Sequence, residues 1–111
     1  MATKAETKLQ NAIRLELSKA GIVRRNNVGV YRTVNDVPIV IGIPGEADLT
    51  LFAEKGQTIF IEIKTPRGRQ SEQQKKFEKA VTQLGYEYVI MKSVEEARRL
   101  VERLKNDDKR D

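Results

Sequence analysis

Two carboxylates and a lysine carry the clearest chemical potential in this sequence: Asp48 and, fourteen positions on, Glu62, followed by Lys64. Between Thr58 and Lys64 the side chains alternate as in a strand. Ile59, Ile61 and Ile63 then share one face, and Phe60, Glu62 and Lys64 share the other. An acid and a base thus stand two residues apart at the end of an otherwise apolar run. Upstream, EADLTLFA alternates too, with Ala47, Leu49 and Leu51 on one face and Asp48, Thr50 and Phe52 on the other. If residues 54–56 form a three-residue hairpin loop with Gly56 in the left-handed region, residues whose numbers sum to 110 lie opposite each other, and Asp48 faces Glu62. A two-residue loop would set Asp48 against Ile63 and mismatch the faces. Opposed carboxylates repel unless something positive lies between them, and either a divalent cation or Lys64 supplies that charge. The plain alternative is an exposed Glu62-Lys64 pair with Asp48 a loop residue near Gly45.

Two further polar residues fall on faces that should pack inward. In a helix each residue turns by about 100°, so Glu6 lies within about 20° of Ile13 and Leu17. Gln74 precedes Phe77 by three residues and Val81 by seven, again on an apolar stripe. Each also has a local explanation, as the third residue of a capping box opened by Thr3 or by Ser71. Composition limits what such residues can do. The chain has no His and no Cys, which excludes Ser-His-Asp, Cys-His and histidine or thiolate zinc chemistry. Any catalysis runs on carboxylates, Lys, Ser/Thr or Tyr, and any metal is a hard cation held through oxygen.

The elements that must position these residues can be read from periodicity. At 111 residues, with 39% hydrophobic residues, the chain suits one domain, taken as 1–104, with a frayed tail over 105–111. Leu9, Ile13 and Leu17 mark a helix over 5–20 that Gly21 stops. VGVYRTV and PIVIGI read as two strands around an Asn35-Asp36 turn, and EADLTLFA and TIFIEIK as two more. Ser71 opens a second helix with Phe77, Ala80, Val81 and Leu84 on its apolar face, closed by Gly85. YEYVIM is a further strand. Ser93-x-x-Glu96 caps a last helix whose stripe is Val94, Ala97, Val101 and Leu104. That stripe should cover its own sheet, or else a partner. Strand, helix and strand across 59–91 make a parallel crossover, so the class is α/β: a mixed β-sheet flanked by helices, in the order α-β-β-β-α-β-α, or with a fourth strand before the second helix. No window approaches a membrane span and the N-terminus lacks a hydrophobic leader, so the expectation is a soluble, unsecreted protein.

With this context, Asp48 and Glu62-Ile63-Lys64 resemble the D-x(n)-E-x-K signature of the PD-(D/E)XK nuclease superfamily. The approach IGIPGEADL, the strand IFIEIK, Gly68 and Ser71-Glu72-Gln73-Gln74-Lys75-Lys76-Phe77 resemble, more closely, the virus-type replication-repair nuclease (VRR-NUC) family. The resemblance spans roughly residues 6 to 90. One departure is that Pro44 stands four residues before Asp48 rather than next to it. The resemblance implies a restriction-endonuclease-like sheet and a Mg²⁺ or Mn²⁺ site ligated by Asp48, Glu62 and the carbonyl of Ile63. It also implies that Lys64 holds or helps deprotonate the attacking water, that Glu6 acts in the outer shell, and that Gln74 positions Lys64 or a water.

Net charge is +5, and residues 1–30 and 64–79 each carry six basic residues against two acidic. That distribution suits a polyanion, with Arg24, Arg25, Arg32, Arg67, Arg69, Lys75 and Lys76 as candidate phosphate contacts. Together with the resemblance it points to a structure-selective DNA endonuclease, similar to a Holliday-junction resolvase, acting as a homodimer on branched DNA in the cytoplasm of a bacterial or phage-infected cell. A flap or general nuclease, a non-catalytic nucleic-acid-binding module, and a structural αβ domain with salt-bridged carboxylates are the alternatives.

Overall fold

A computed structural model describes residues 3–109. Helix α1 (Lys4–Leu17) is capped by Thr3, whose Oγ1 accepts the Glu6 N–H at 3.1 Å, and it buries Ile13 and Leu17. It ends three residues earlier than expected, because a turn closed by the Ala20 N–H on the Leu17 carbonyl feeds a strand that periodicity does not reveal. This strand is β1 (Gly21–Arg25), and it needs its glycine: a Cβ on Gly21 would collide with the Phe52 carbonyl of the neighbouring strand. There follow β2 (Gly29–Arg32), β3 (Pro38–Ile41), β4 (Leu49–Ala53) and β5 (Thr58–Ile63), so five strands, rather than the three or four expected, precede the second helix. Helix α2 (Glu72–Gln83), strand β6 (Glu87–Met91) and helix α3 (Val94–Lys109) complete the chain.

The main sheet has the order β1-β4-β5-β6; β1, β4 and β5 are antiparallel neighbours, and β5 and β6 are parallel. Leu49 pairs with Ile61 and Thr50 with Phe60, the register that a three-residue loop requires. Glu54–Gly56 form that loop, with Lys55 and Gly56 at φ 61° and 74° and the Ala53 N–H bonded to the Gln57 carbonyl at 2.9 Å.

Alternation assigns the two sheet faces. Leu49, Leu51, Ile59, Ile61, Ile63 and Met91 build the larger core with Ile13 and Leu17 of α1 and Ala97, Leu100, Val101 and Leu104 of α3. On the opposite face Phe60 and Tyr88 pack with Phe77 and Val81 of α2, the Phe60 and Phe77 rings meeting edge to face at 5.4 Å. Ala47 belongs to this smaller cluster and not with Leu49 and Leu51, because regular strand geometry begins only at Leu49. Ala80 and Leu84 are exposed, Leu84 by 75%: α2 covers a narrow strip of sheet, and Leu84 is its C-cap. The stripe of α3 covers its own core. The helix is continuous through Lys109, with no Gly or Pro after Leu104 to stop it. Residues 110–111 of the expected tail lie outside the described residues. No helix among the described residues is long and apolar enough to cross a membrane.

Among the described residues, strands β2 and β3 pair only with each other, antiparallel, Val30 against Val40 and Tyr31 against Ile39. This ribbon joins neither core cluster. Its turn is closed by Arg32, which donates to the carbonyl and to the carboxylate of Asp36.

Candidate active site

Asp48 lies at the entry to β4 and is held from several sides. Its Oδ2 accepts the Ile63 N–H at 2.7 Å. Its carbonyl accepts the Asn26 N–H at 2.9 Å, while the Asn26 amide donates to the Ala47 carbonyl at 3.0 Å and to Thr50 Oγ1 at 2.8 Å. Asn26 therefore clamps the chain on both sides of Asp48. Sequence reasoning passes over it, because an Asn after two arginines reads only as a turn residue. Upstream, Gly45 has φ 81°, and a Cβ there would collide with the Gln73 carbonyl. The loop before Asp48 thus rests directly on the first turn of α2, a contact that only glycine permits.

Glu62 is 1% exposed and comes level with Asp48 when the β4–β5 register is continued by one step. Its Oε2 accepts the Gln74 Nε2 at 3.1 Å and lies 3.6 Å from Lys64 Nζ. Gln74 reaches it while also completing a capping box. Its Oε1 accepts the Ser71 N–H at 2.8 Å, and its own N–H donates to Ser71 Oγ. Because the amide oxygen is committed to the cap, the NH₂ must turn to Glu62. Both readings of Gln74 hold at once.

The remaining oxygen, Glu62 Oε1, is buried with no hydrogen-bond partner. An orphaned carboxylate oxygen is costly unless a cation or a proton occupies it. Burial first, and then the charge of the neighbouring Asp48, push Glu62 up to about 8, with Lys64 pulling the other way. Without a cation, Glu62 thus holds a proton near neutrality. Two adjacent carboxylates with one unsatisfied oxygen are a hard, all-oxygen donor set of the kind that Mg²⁺ or Mn²⁺ takes, so the residues present fit such a cation.

Glu6 is half-buried at the start of α1, and among the described residues no third carboxylate joins Asp48 and Glu62 in one cluster. Arg67 and Arg69 are exposed on the loop after Lys64, and Lys75 and Lys76 are exposed next to Gln74, so these four flank the site. Lys75 also pairs with Glu72 at 3.4 Å. Arg24 pairs across β1–β4 with Thr50, on the site face. Arg25 pairs with Leu49, on the other. Arg32 is on the ribbon, tied to Asp36 at 3.2 Å. Another network invisible to sequence reasoning involves Gln70, whose Nε2 donates to Glu78 Oε1 at 2.9 Å and to the Tyr88 hydroxyl at 3.2 Å. Burial raises the Tyr88 phenol, with Gln70 lowering it and the charges of Glu62, Glu78 and Asp48 adding to the rise. It remains a proton donor beside the carboxylates.

A mixed sheet with helices on both faces and an Asp/Glu/Lys cluster at one end of its central hairpin defines the restriction-endonuclease-like class of α/β fold. Within that class the chain has the fold of a VRR_NUC domain. A solved structure described as "VRR_NUC domain" superimposes with a TM-score of 0.65 at 19% identity, over 91% of this chain and 97% of that one. No family model matches the sequence, and no curated protein does.

Proposed function

We propose that this protein is a Mg²⁺-dependent, structure-selective DNA endonuclease that works as a homodimer and resolves four-way junctions in the cytoplasm. The observation that carries the reading is Glu62 Oε1, buried and unpartnered beside Asp48, while Lys64 and Gln74 occupy the other oxygen. Asp48, Glu62 and the carbonyl of Ile63 would hold Mg²⁺ or Mn²⁺, which when bound supplies charge for the phosphoryl oxygens and an acidified water.

The chain's own residues do the rest. Gln74 fixes the Glu62 carboxylate so that Oε1 stays free. The Ile63 N–H and Asn26 hold Asp48 opposite it, so the donor set is preorganised. Lys64, half-buried beside Glu62, holds the attacking water at Nζ and offsets charge on the phosphate. Glu6 acts only through intervening water. Arg67, Arg69, Lys75 and Lys76 grip flanking phosphates, which fixes position without reading sequence.

The test is cleavage of linear duplex, flap, fork and four-way junction, with and without Mg²⁺. Wild type should cut the junction with paired incisions, whereas Asp48→Ala and Lys64→Ala should lose at least about a hundredfold in rate with circular dichroism unchanged. Full activity in Asp48→Ala would remove this site from the chemistry. A protein that nicks flaps and leaves a cruciform uncut would move the assignment to a flap-type nuclease.

A further inference from the structure

Strand register arranges the site face of the main sheet in rows. Asp48 and Glu62 share the row at one end. One step along, Arg24 lies beside Thr50, and Thr50 beside Phe60. A further step sets Ile22 beside Phe52 and Phe52 beside Thr58, and Tyr86 comes level with Thr58 when the β5–β6 register is continued by one step. Helix α2 covers only part of this face, because it packs on Phe60 and Tyr88, over β5 and β6. The strip over β1 and β4 stays open. Ile22 is 73% exposed, Phe52 45% and Tyr86 46%, and Arg24 is exposed between this apolar row and the carboxylates. Among the described residues neither Ile22 nor Phe52 joins a core cluster, and the Phe52 ring has no aromatic neighbour, whereas Phe60 is packed by Phe77 and Tyr86.

We infer that this strip is a stacking platform for an unpaired stretch of the substrate strand, with a base on the ring of Phe52 and the phosphates passing Arg24 on the way to Asp48 and Glu62. The inference rests on the proposed function and deepens it by naming what the site selects: a strand whose bases are unstacked near the cut. Chemistry picks the occupant. From Gly21 to Asn27 the chain carries Arg24 and Arg25 and no acid, and Arg24 is in no ion pair among the described residues. A second copy of the chain would bring like charges together here. A single-stranded nucleic acid matches both features at once, since its phosphates suit the arginine and its bare bases suit the ring. A duplex matches only the first, because its bases are already stacked on one another and it offers the sheet its backbone.

Reach agrees with this. Phe52 lies four residues along β4 from Asp48, which at a strand rise of about 3.4 Å is roughly 14 Å. A stacked strand advances about 3.4 Å per nucleotide, so the base on Phe52 belongs to a nucleotide about four or fewer from the phosphate at the carboxylates.

Fluorescence anisotropy with Ca²⁺ in place of Mg²⁺ reads binding without turnover. Phe52→Ala should weaken binding of a fork with oligothymidylate arms by about tenfold or more, and Phe52→Tyr should keep it, whereas binding of a blunt duplex of equal length should change by less than about twofold. Because the chain has no Trp, Phe52→Trp places a single reporter on the strip. Its emission should be quenched by oligothymidylate, while that of Leu15→Trp, exposed on α1 across the sheet, should not. An unchanged fork affinity in Phe52→Ala, equal losses on fork and duplex, or equal quenching at the two reporter positions overturns the platform. Emission of Phe52→Trp that changes with protein concentration in the absence of DNA overturns it too, since a second copy then covers the strip. Any of these results with DNA cleavage intact would leave the nuclease reading standing. A wild type that binds the fork through Phe52 and cuts nothing in Mg²⁺ would remove the nuclease and keep the platform.

Discussion

The four-stranded sheet and the β2–β3 ribbon are written in the same alphabet and meet opposite fates. TIFIEI in β5 and PIVI in β3 are both runs of β-branched residues, yet Ile59 and Ile61 are essentially inaccessible and every residue of β3 is exposed. The difference lies in what each strand has beside it. Strand β5 has neighbours on both edges and helices over both faces; among the described residues β3 has one neighbour and no cover. Apolar alternation therefore specifies that a segment is extended, and the rest of the chain decides whether it is buried. A two-face apolar strand without cover calls for a cover from elsewhere, whereas a charged residue inside a covered strand, as at Glu62, calls for a ligand.

The sharpest way to break the comparison is to remove equal volumes from the two regions. Ile61→Ala should cost about 2–5 kcal/mol, since the side chain is fully enclosed by the larger core. Ile39→Ala should stay within about 0.5 kcal/mol in dilute denaturant titrations, as for other open surface positions. If the proposed homodimer uses this surface, the effect on melting temperature should grow with protein concentration. Equal effects at the two positions in dilute solution would mean that the ribbon is covered within a single chain.

How much of this could be read from sequence follows from which physics is local. The register of β4 against β5 was legible because period-two alternation and an odd loop admit one solution, and Gly56 supplies the left-handed residue that loop needs. Asp48, Glu62 and Lys64 were legible as polar residues on an apolar pattern, and Gln74 as a residue with two local roles. Strand β1 was hidden because GIVRR is an edge strand, two of whose five residues are arginine, and its pairing is visible only from β4. Asn26 was hidden because its role lies in bonds to residues more than twenty positions away. The absence of cover on the ribbon is likewise tertiary. Nothing in PIVIGI distinguishes it from a core strand.

A gentler probe sharpens the contrast from the sheet side. The Glu62 carboxyl, pushed up to about 8, keeps its proton in the folded protein at pH values where the unfolded chain has lost it. The folded state then binds more protons, so cation-free stability should fall as pH rises from the ordinary carboxylate range to about 8, by at most about 1.4 kcal/mol per pH unit. Glu62→Gln, which cannot ionise, should flatten that fall and melt higher than wild type at about pH 8. Added Mg²⁺ should raise the melting temperature of wild type at that pH and leave the Gln variant unmoved. Ribbon variants should keep the wild-type profile, since the charged pair there, Arg32 and Asp36, is exposed. A wild-type profile that stays flat through this range, like that of Glu62→Gln, would show that Glu62 ionises in the folded protein as it does in the unfolded chain.

The smallest effect concerns which basic residues would meet DNA under the proposed function, and it divides the two regions by face. Removing one phosphate-binding charge should lower the slope of log affinity against log salt by about one unit. Lys75 and Lys76 stand beside Gln74, and Arg24 shares its sheet face with Thr50 and the site, so neutralising these three should lower the slope by about three units in all. Arg25 points to the opposite face and Arg32 is held by Asp36 on the ribbon, so neutralising this pair should leave the slope nearly unchanged. Fluorescence anisotropy on a labelled four-way junction would measure both, with Ca²⁺ replacing Mg²⁺ to hold off cleavage. The contrast matters more than either number, because the five arginines and lysines are indistinguishable by composition and are separated only by strand register and by place, Arg32 on the ribbon with Asp36 and Lys75, also paired with a carboxylate, beside Gln74. An unchanged slope in the first set, or a comparable drop in the second, would place the DNA on the ribbon side and reverse the division of labour between the two regions.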